Sequence, residues 1–310
     1  MAVENFDLRA LRHKIEAVEG VAEIPAGADA VRVIDGQGQI ATDQITINWD
    51  KPDGGARPFV PVRRRVRLEG QTPLLGAATA GDAIVYSGLA RNFGHTEVLN
   101  AGPPANAEYT PVLKGFPSAT AFFNHAGEVL QGVGGRGRYT SFDFAINDFA
   151  KAGFEWLAKV AADPIEEEVW NDDVSAFGQP VVLDEGNTTV TLAGVPLEFV
   201  SLSVNTGTSV NLVYHSEATV SRHGERAVTG TLKVHRPLIA TSPIRQMAQD
   251  ASLQSLLLDV VTGDVAKDLS FEADGVQLGE PQNTNTDGLR TWDIPVTFTQ
   301  DYILRFGART

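Results

Sequence analysis

Cysteine is absent from this 310-residue chain, which excludes disulfide staples, thiolate metal sites and cysteine nucleophiles. Basic charge is also scarce: 25 Lys and Arg stand against 39 Asp and Glu, a net charge of −14. Ordinary nucleic-acid binding needs clustered cations that displace phosphate counterions, so the balance argues against it. No apolar run approaches the length of a membrane span, and the stretch from Met1 to Glu19 is charged throughout. Neither a transmembrane helix nor a secretory signal is expected, and the chain reads as a soluble protein made in a cytoplasm.

What is present is ordinary globular material. Hydrophobic residues make up 43% and charged residues 21%, enough apolar surface to build a core. The length suggests two domains. Charge divides unevenly between the halves: residues 1–160 hold 16 basic and 18 acidic side chains, net −2, and residues 161–310 hold 9 and 21, net −12. An acidic half is either a plain soluble surface or a surface past which DNA slides without sticking.

Periodicity predicts a mainly β chain with a few helices (α+β). Leu8, Leu11, Ile15 and Val18 lie at helical spacing, so a short helix is expected over Asn5 to Val18. A second is expected over Thr72 to Gly88, behind Thr72-Pro73, and a third from Ser242-Pro243 through Leu256 and Leu257 to Gly263. Asp50 to Pro58 reads as a loop or hairpin tip. Val60 to Leu68 alternates, with Arg63, Arg65 and Arg67 on one face. Those arginines suit either phosphate or, more plainly, an interface or acidic neighbours. Further strands are expected at Thr188–Leu192, Leu197–Val204, Ser209–His215, Val228–Val234, Leu269–Leu278, Thr291–Phe298 and Tyr302–Phe306.

Residues 161–180, with Glu166-Glu167-Glu168 and Asp172-Asp173, read as an acidic linker whose charges are solvated. It separates residues 1–160 from residues 181–310, and the order strand, helix, hairpin, strand occurs on both sides. Phe123-x-x-x-Gly127-x-x-Leu130 matches Phe271-x-x-x-Gly275-x-x-Leu278, each taken to cross a hairpin turn. The triplets Phe142-Asp143-Phe144 and Trp292-Asp293-Ile294 follow. Internal duplication is the expectation.

Motifs that carry chemistry are few. Gly132-Val133-Gly134-Gly135-Arg136-Gly137 satisfies G-x-G-x-x-G, but a strand and not a helix follows, so it reads as a glycine-rich bend or turn. The histidines at 13, 95, 125, 215, 223 and 235 have no metal-ligand spacing. No catalytic, cofactor-binding or metal-binding residue is assigned, no cofactor is expected, and the chain is not expected to be an enzyme.

Several blocks in order resemble the major tail tube proteins of long-tailed bacteriophages. They are Leu8-Arg9-Ala10-Leu11 to Gly20 with Ala28 to Val33, then Gly55-Ala56-Arg57-Pro58 with Val62 to Val66. Tyr109-Thr110-Pro111, Phe123 to Leu130 and Gly132 to Gly137 follow, and Leu197 to Gly207 and Val276 to Gly288 complete the set. The resemblance implies two tandem β-sandwich or barrel folds, each flanked by a helix: residues 1–160, then the linker 161–180, then residues 181–310. It implies a structural virion protein of a siphovirus-like tail, assembled in the host bacterial cytoplasm and polymerised as stacked rings. Its partners would be itself, as a trimeric pseudo-hexamer in preference to a hexamer, and the tape-measure, tail-tip and tail-terminator proteins. Phage DNA would pass through the lumen unbound during ejection, and no membrane is involved. The alternative is a β-rich carbohydrate-binding or adhesive module of a virion surface, which needs an exposed aromatic cluster.

Overall fold

The structure is a computed structural model that describes residues 9–47, 57–163, 165–166, 170, 172, 174, 177–214, 219–236, 243–286 and 288–309. The fold is mainly β, with two short α-helices among the described residues. The expected loop at Asp50–Pro58, apart from Arg57 and Pro58, lies outside the described residues.

The first half contains β1 (Arg9–Ile15), β2 (Ala30–Val31), β3 (Ile34–Thr46), β4 (Phe59–Pro73), α1 (Ser87–Asn92), β5 (His95–Asn100) and β6 (Asn106–Pro111). It continues with β7 (Ala119–His125), β8 (Glu128–Ala145), β9 (Lys151–Val160) and β10 (Ile165–Glu166). The second half begins with β11 (Thr188–Leu192), β12 (Val195–Pro196), β13 (Phe199–Asn205), β14 (Val210–Tyr214), β15 (Thr219–His223), β16 (Thr229–His235) and α2 (Ile244–Gln249). It ends with β17 (Leu253–Val260), β18 (Leu269–Leu278), β19 (Gln282–Thr286), β20 (Leu289–Phe298) and β21 (Tyr302–Gly307).

Pairing is antiparallel throughout and follows one order twice. In the first half the strands run β2-β1-β7-β8-β9-β4-β3. In the second they run β12-β11-β17-β18-β20-β16-β13. Each helix falls at the same place in its set, after the strand β4 or β16. The sets are joined edge to edge by β8 and β13, and again by β6 and β21. Phe144, Leu202, Leu232 and Ile294 therefore form one row across β8, β13, β16 and β20, all at most 1% exposed.

Aromatic rings continue the core across this seam. Phe142 lies 6.3 Å from Phe271 and 5.3 Å from Tyr302, and Phe271 stacks on Tyr302 at 5.4 Å. Phe144 and Phe298 also meet Phe271, at 5.7 and 5.8 Å.

Local expectations fail where tertiary pairing outweighs propensity. The expected N-terminal helix is strand β1: all seven of its residues pair with β7, burying Leu11 and His13 on one face. Over Thr72 to Gly88, Thr72 and Pro73 end β4 against Ala152 and Lys151, and only α1 turns helical. The third helix stops at Gln249, and Ala251 adopts a left-handed backbone. Leu256, Leu258 and Val260 then alternate inward on β17, between β11 and β18. Ser242, its expected cap, lies outside the described residues.

Phe123 and Leu130 do face each other across a hairpin, but Phe271 to Leu278 is one continuous strand, in which Gly275 sits at a shift of register. The G-x-G-x-x-G segment is likewise strand, not turn. It lies inside β8 with a bulge between Val133 and Arg136, where Gly134 has φ +68. A Cβ on Gly135 would fall 2.1 Å from the Trp156 indole, and one on Gly137 2.0 Å from the Phe93 ring. The glycines make room for aromatic packing across the sheet.

Nor is the 161–180 segment simply solvated. Ile165 and Glu166 pair with β8, and Phe177 is buried. Asp172 receives two hydrogen bonds from Arg12, at 2.8 and 2.6 Å, with the guanidinium 3.9 Å above the Trp170 ring. Asp173 and Glu167-Glu168 lie outside the described residues.

Phe271 is fully buried where the two sets meet. Truncation by Phe271→Ala is expected to destabilise the chain by about 3–5 kcal/mol in guanidinium denaturation, through one cooperative transition. Two separated transitions, or a loss below about 1 kcal/mol, would show that the rings do not couple the halves.

Candidate assembly interface

Free strand edges and exposed apolar side chains on strands mark the surface suited to assembly. Among the described residues β3 pairs only with β4, β5 only with β6, and β19 only with β20. On β5, Val98 and Leu99 are 51% and 46% exposed, an edge that other chains can extend. The β3–β4 hairpin also outruns the sheet, because β9 reaches only as far as Arg65 on β4. Beyond that point Ile45, Phe59 and Val60 are exposed on a two-stranded ribbon.

At the base of the ribbon the arginines carry their own counter-ions. Arg65 donates to both Asp43 oxygens at 3.0 and 3.1 Å, and Arg64 lies 2.7 Å from Asp163. Arg67 pairs with Glu69 and, at 2.8 Å, with Glu155, which also accepts from Arg138 at 2.9 Å. Arg63 departs from the alternation: its left-handed backbone (φ 53) makes a bulge beside Asp43, and its guanidinium lies over Tyr214. Of the two expectations for this face, pairing with acidic neighbours describes the geometry.

Interior polar groups hold neighbouring loops and strands together. Glu16 is buried and accepts four hydrogen bonds: Thr120 Oγ1 and Gly134 N on Oε1, Ser118 Oγ and Gly20 N on Oε2. His95 Nε2 meets the Tyr302 hydroxyl at 3.0 Å, linking β5 to the second half. His223 Nε2 lies 2.6 Å from the Gly137 carbonyl and its ring rests on Phe116. Burial lowers the pKa of His13 to about 4, of His95 to about 3 and of His223 to about 4, and the Arg136, Arg138 and Arg226 charges depress His223 further. No sequence signal marks Glu16 or the Arg12–Asp172 pair, because their partners lie far along the chain.

His125 is half-buried beside Phe123, His235 pairs with Thr291 in the sheet, and His215 lies outside the described residues. Among the described residues no group of three His, Asp or Glu is placed to hold a metal. Two recesses of about 390 Å³ are lined by charged side chains, one around Lys114, Arg136 and Arg222, the other around Arg67, Arg138 and Glu155. The described tryptophans and tyrosines are buried or half-buried. Compared with protein-family models and with curated protein sequences, the chain matches none.

The three histidines titrate below the ordinary value of 6.5. Below about pH 6.5 the unfolded chain therefore binds protons that the folded chain refuses, and stability falls as pH drops from about 6.5 towards 4. Each histidine adds a slope of up to about 1.4 kcal/mol per pH unit in that window. Replacement by His95→Gln, which keeps a polar partner for Tyr302, is expected to flatten the slope between pH 6.5 and 4.5 in urea titrations. An unchanged slope would show that His95 is protonated equally in both states.

Proposed function

We propose that this chain is the subunit of a hollow tube of the kind found in long-tailed bacteriophages, a structural protein that assembles with copies of itself. The observation that carries the reading is the seven-stranded order found twice, joined edge to edge and leaving, among the described residues, free edges at both ends of the joined strand order. With one tube fold per set, three chains fill the six positions of a ring as a trimeric pseudo-hexamer. The exposed ribbon bearing Ile45, Phe59 and Val60 supports contacts between stacked rings. The net charge of −14 supports a lumen through which DNA slides without binding. Tape-measure, tail-tip and tail-terminator proteins would meet this tube in a virion tail assembled in the host bacterial cytoplasm. The carbohydrate-binding reading draws no support from the described tryptophans and tyrosines, which are buried or half-buried, and among the described residues Phe59 is exposed without a second exposed ring beside it on the ribbon.

Electron microscopy of the purified protein tests this directly. Rings of three chains, stacking into tubes, are the expected outcome. Discrete monomers at high concentration would sink the tube reading, and six chains per ring would sink the pseudo-hexamer. The pair Phe59→Ser and Val60→Ser, both exposed in the free chain, is expected to leave rings intact and to abolish stacking. Normal tubes from that variant would remove the ribbon from the ring–ring contact.

A further inference from the structure

The two strand sets correspond residue by residue, not only in order. Along β8 and β9, Arg136 faces Leu157, Gly137 faces Trp156, Ser141 faces Gly153 and Asp143 faces Lys151. Along β18–β19 and β20, Gln277 faces Thr297, Leu278 faces Val296, Gln282 faces Asp293 and Thr284 faces Thr291, with the same spacings. The next strand keeps the register: Leu157 with Arg67 and Lys151 with Pro73 match Thr297 with Thr229 and Thr291 with His235. So does the last: Arg67–Gln39, Leu68–Gly38 and Glu69–Gln37 match Thr229–Asn205, Gly230–Val204 and Thr231–Ser203. Strands β18 and β19 together thus take the place of the single strand β8, and β3 takes the place of β13.

One pairing breaks the correspondence. The end of β8 is covered by β13, with Ser141 against Asn205, Phe142 against Val204 and Asp143 against Ser203. Among the described residues its counterpart β19 is a free edge, and the counterpart of β13, the outer edge of β3, is free as well. These edges lie at opposite ends of one chain's strand order. Each is a polar stretch without charge or proline: Gln37, Gly38 and Gln39 on β3, with Gly38 half-buried, and Gln282 to Thr286 on β19, with Thr284 and Thr286 half-buried. Natural sheets guard free edges with charge or proline, and both edges lack those guards over these residues. Arg9 holds the Gly36 carbonyl, so the open part of β3 begins at Gln37.

We propose that β19 of one chain pairs antiparallel with β3 of a second copy, repeating between chains the β8–β13 junction within a chain. The register follows from the correspondence: Gln282 faces Gln39, Asn283 faces Gly38 and Thr284 faces Gln37 of the next copy. The contact is head-to-tail, each chain offering β19 to one neighbour and β3 to the other, which closes into a ring when the rotation allows. Backbone hydrogen bonds supply the attraction, as in strand addition to any open edge. The inference rests on the proposal that the chain self-assembles, and adds which edges meet and in which register.

A chain without cysteine allows a direct test. The double variant Gln37→Cys with Thr284→Cys places two thiols in opposed positions of the proposed ladder, within disulfide reach. Mild oxidation of the assembled protein is expected to give a denaturant-resistant ladder that ends at the ring's chain number. Each single variant, and the out-of-register pair Gln44→Cys with Thr284→Cys, is expected to stay monomeric on the same gel. Microscopy of the unmodified protein keeps the two proposals separable. Rings without cross-linking, or equal cross-linking of the Gln44 pair, overturn this register and leave the tube standing. Absence of any assembly overturns both.

Discussion

The seam between β8 and β13 is the constraint on which the molecule depends. At its start β8 is flanked by β7, in its middle by β9, and at its end by β13 as well. A strand with that many neighbours must change direction without losing its ladder. The bulge at Val133–Arg136 allows the bend, and the missing side chains at Gly135 and Gly137 admit Trp156 and Phe93 beneath it. Because the seam is backed by Phe142, Phe144, Phe271 and Tyr302, both halves contribute to one apolar interior. Removing water from this interior supplies the main driving force, and the hydrogen-bonded seam sets the alignment.

Charge is arranged by the same logic. Arginines near the ribbon are matched by Asp43, Asp163, Glu69 and Glu155, so that surface is locally balanced within a strongly acidic chain. Two interior charges are well met: buried Glu16 accepts four bonds, and half-buried Arg12 is clamped between Asp172 and Trp170. A buried ion pair adds little net stability over an apolar pair of the same shape, but breaking one costs about 3–5 kcal/mol. The Arg12–Asp172 contact therefore fixes where the connecting segment lies more than it strengthens the whole.

The sequence was legible where pattern and packing agree. Alternation at Val228 to Val234, or at Leu269 to Leu278, identifies strands because one face of each is core. It was misleading where a strand's apolar residues also fit a helical period, as with Leu11 and Ile15, and where a real helix runs into a strand, as from Met247 to Leu256. Neither ambiguity is resolved locally, since β7 decides the first and β11 with β18 the second. The recurrence of strand, helix and hairpin was visible, whereas the motif matched to it was not equivalent: Phe123 to Leu130 turns a hairpin and Phe271 to Leu278 runs straight. Free edges leave no mark in composition. Gln37 to Gln39 and Gln282 to Thr286 read as polar loop or strand alike, and only the pairing shows them open.

Strand β21 adds a constraint of timing. It is the last strand of the chain, yet it pairs with β6 of the first half and carries Tyr302 and Phe306 into the interior. Synthesis runs from the N-terminus, so β6 waits for this partner until Tyr302 to Gly307 have been made. Tyr86, Tyr109 and Phe142 lack the rings of Tyr302 and Phe306 for the same interval. Everything from β6 to β21 must therefore leave the ribosome before this junction closes, which makes it a late, long-range step and exposes the precursor to chaperones while it waits.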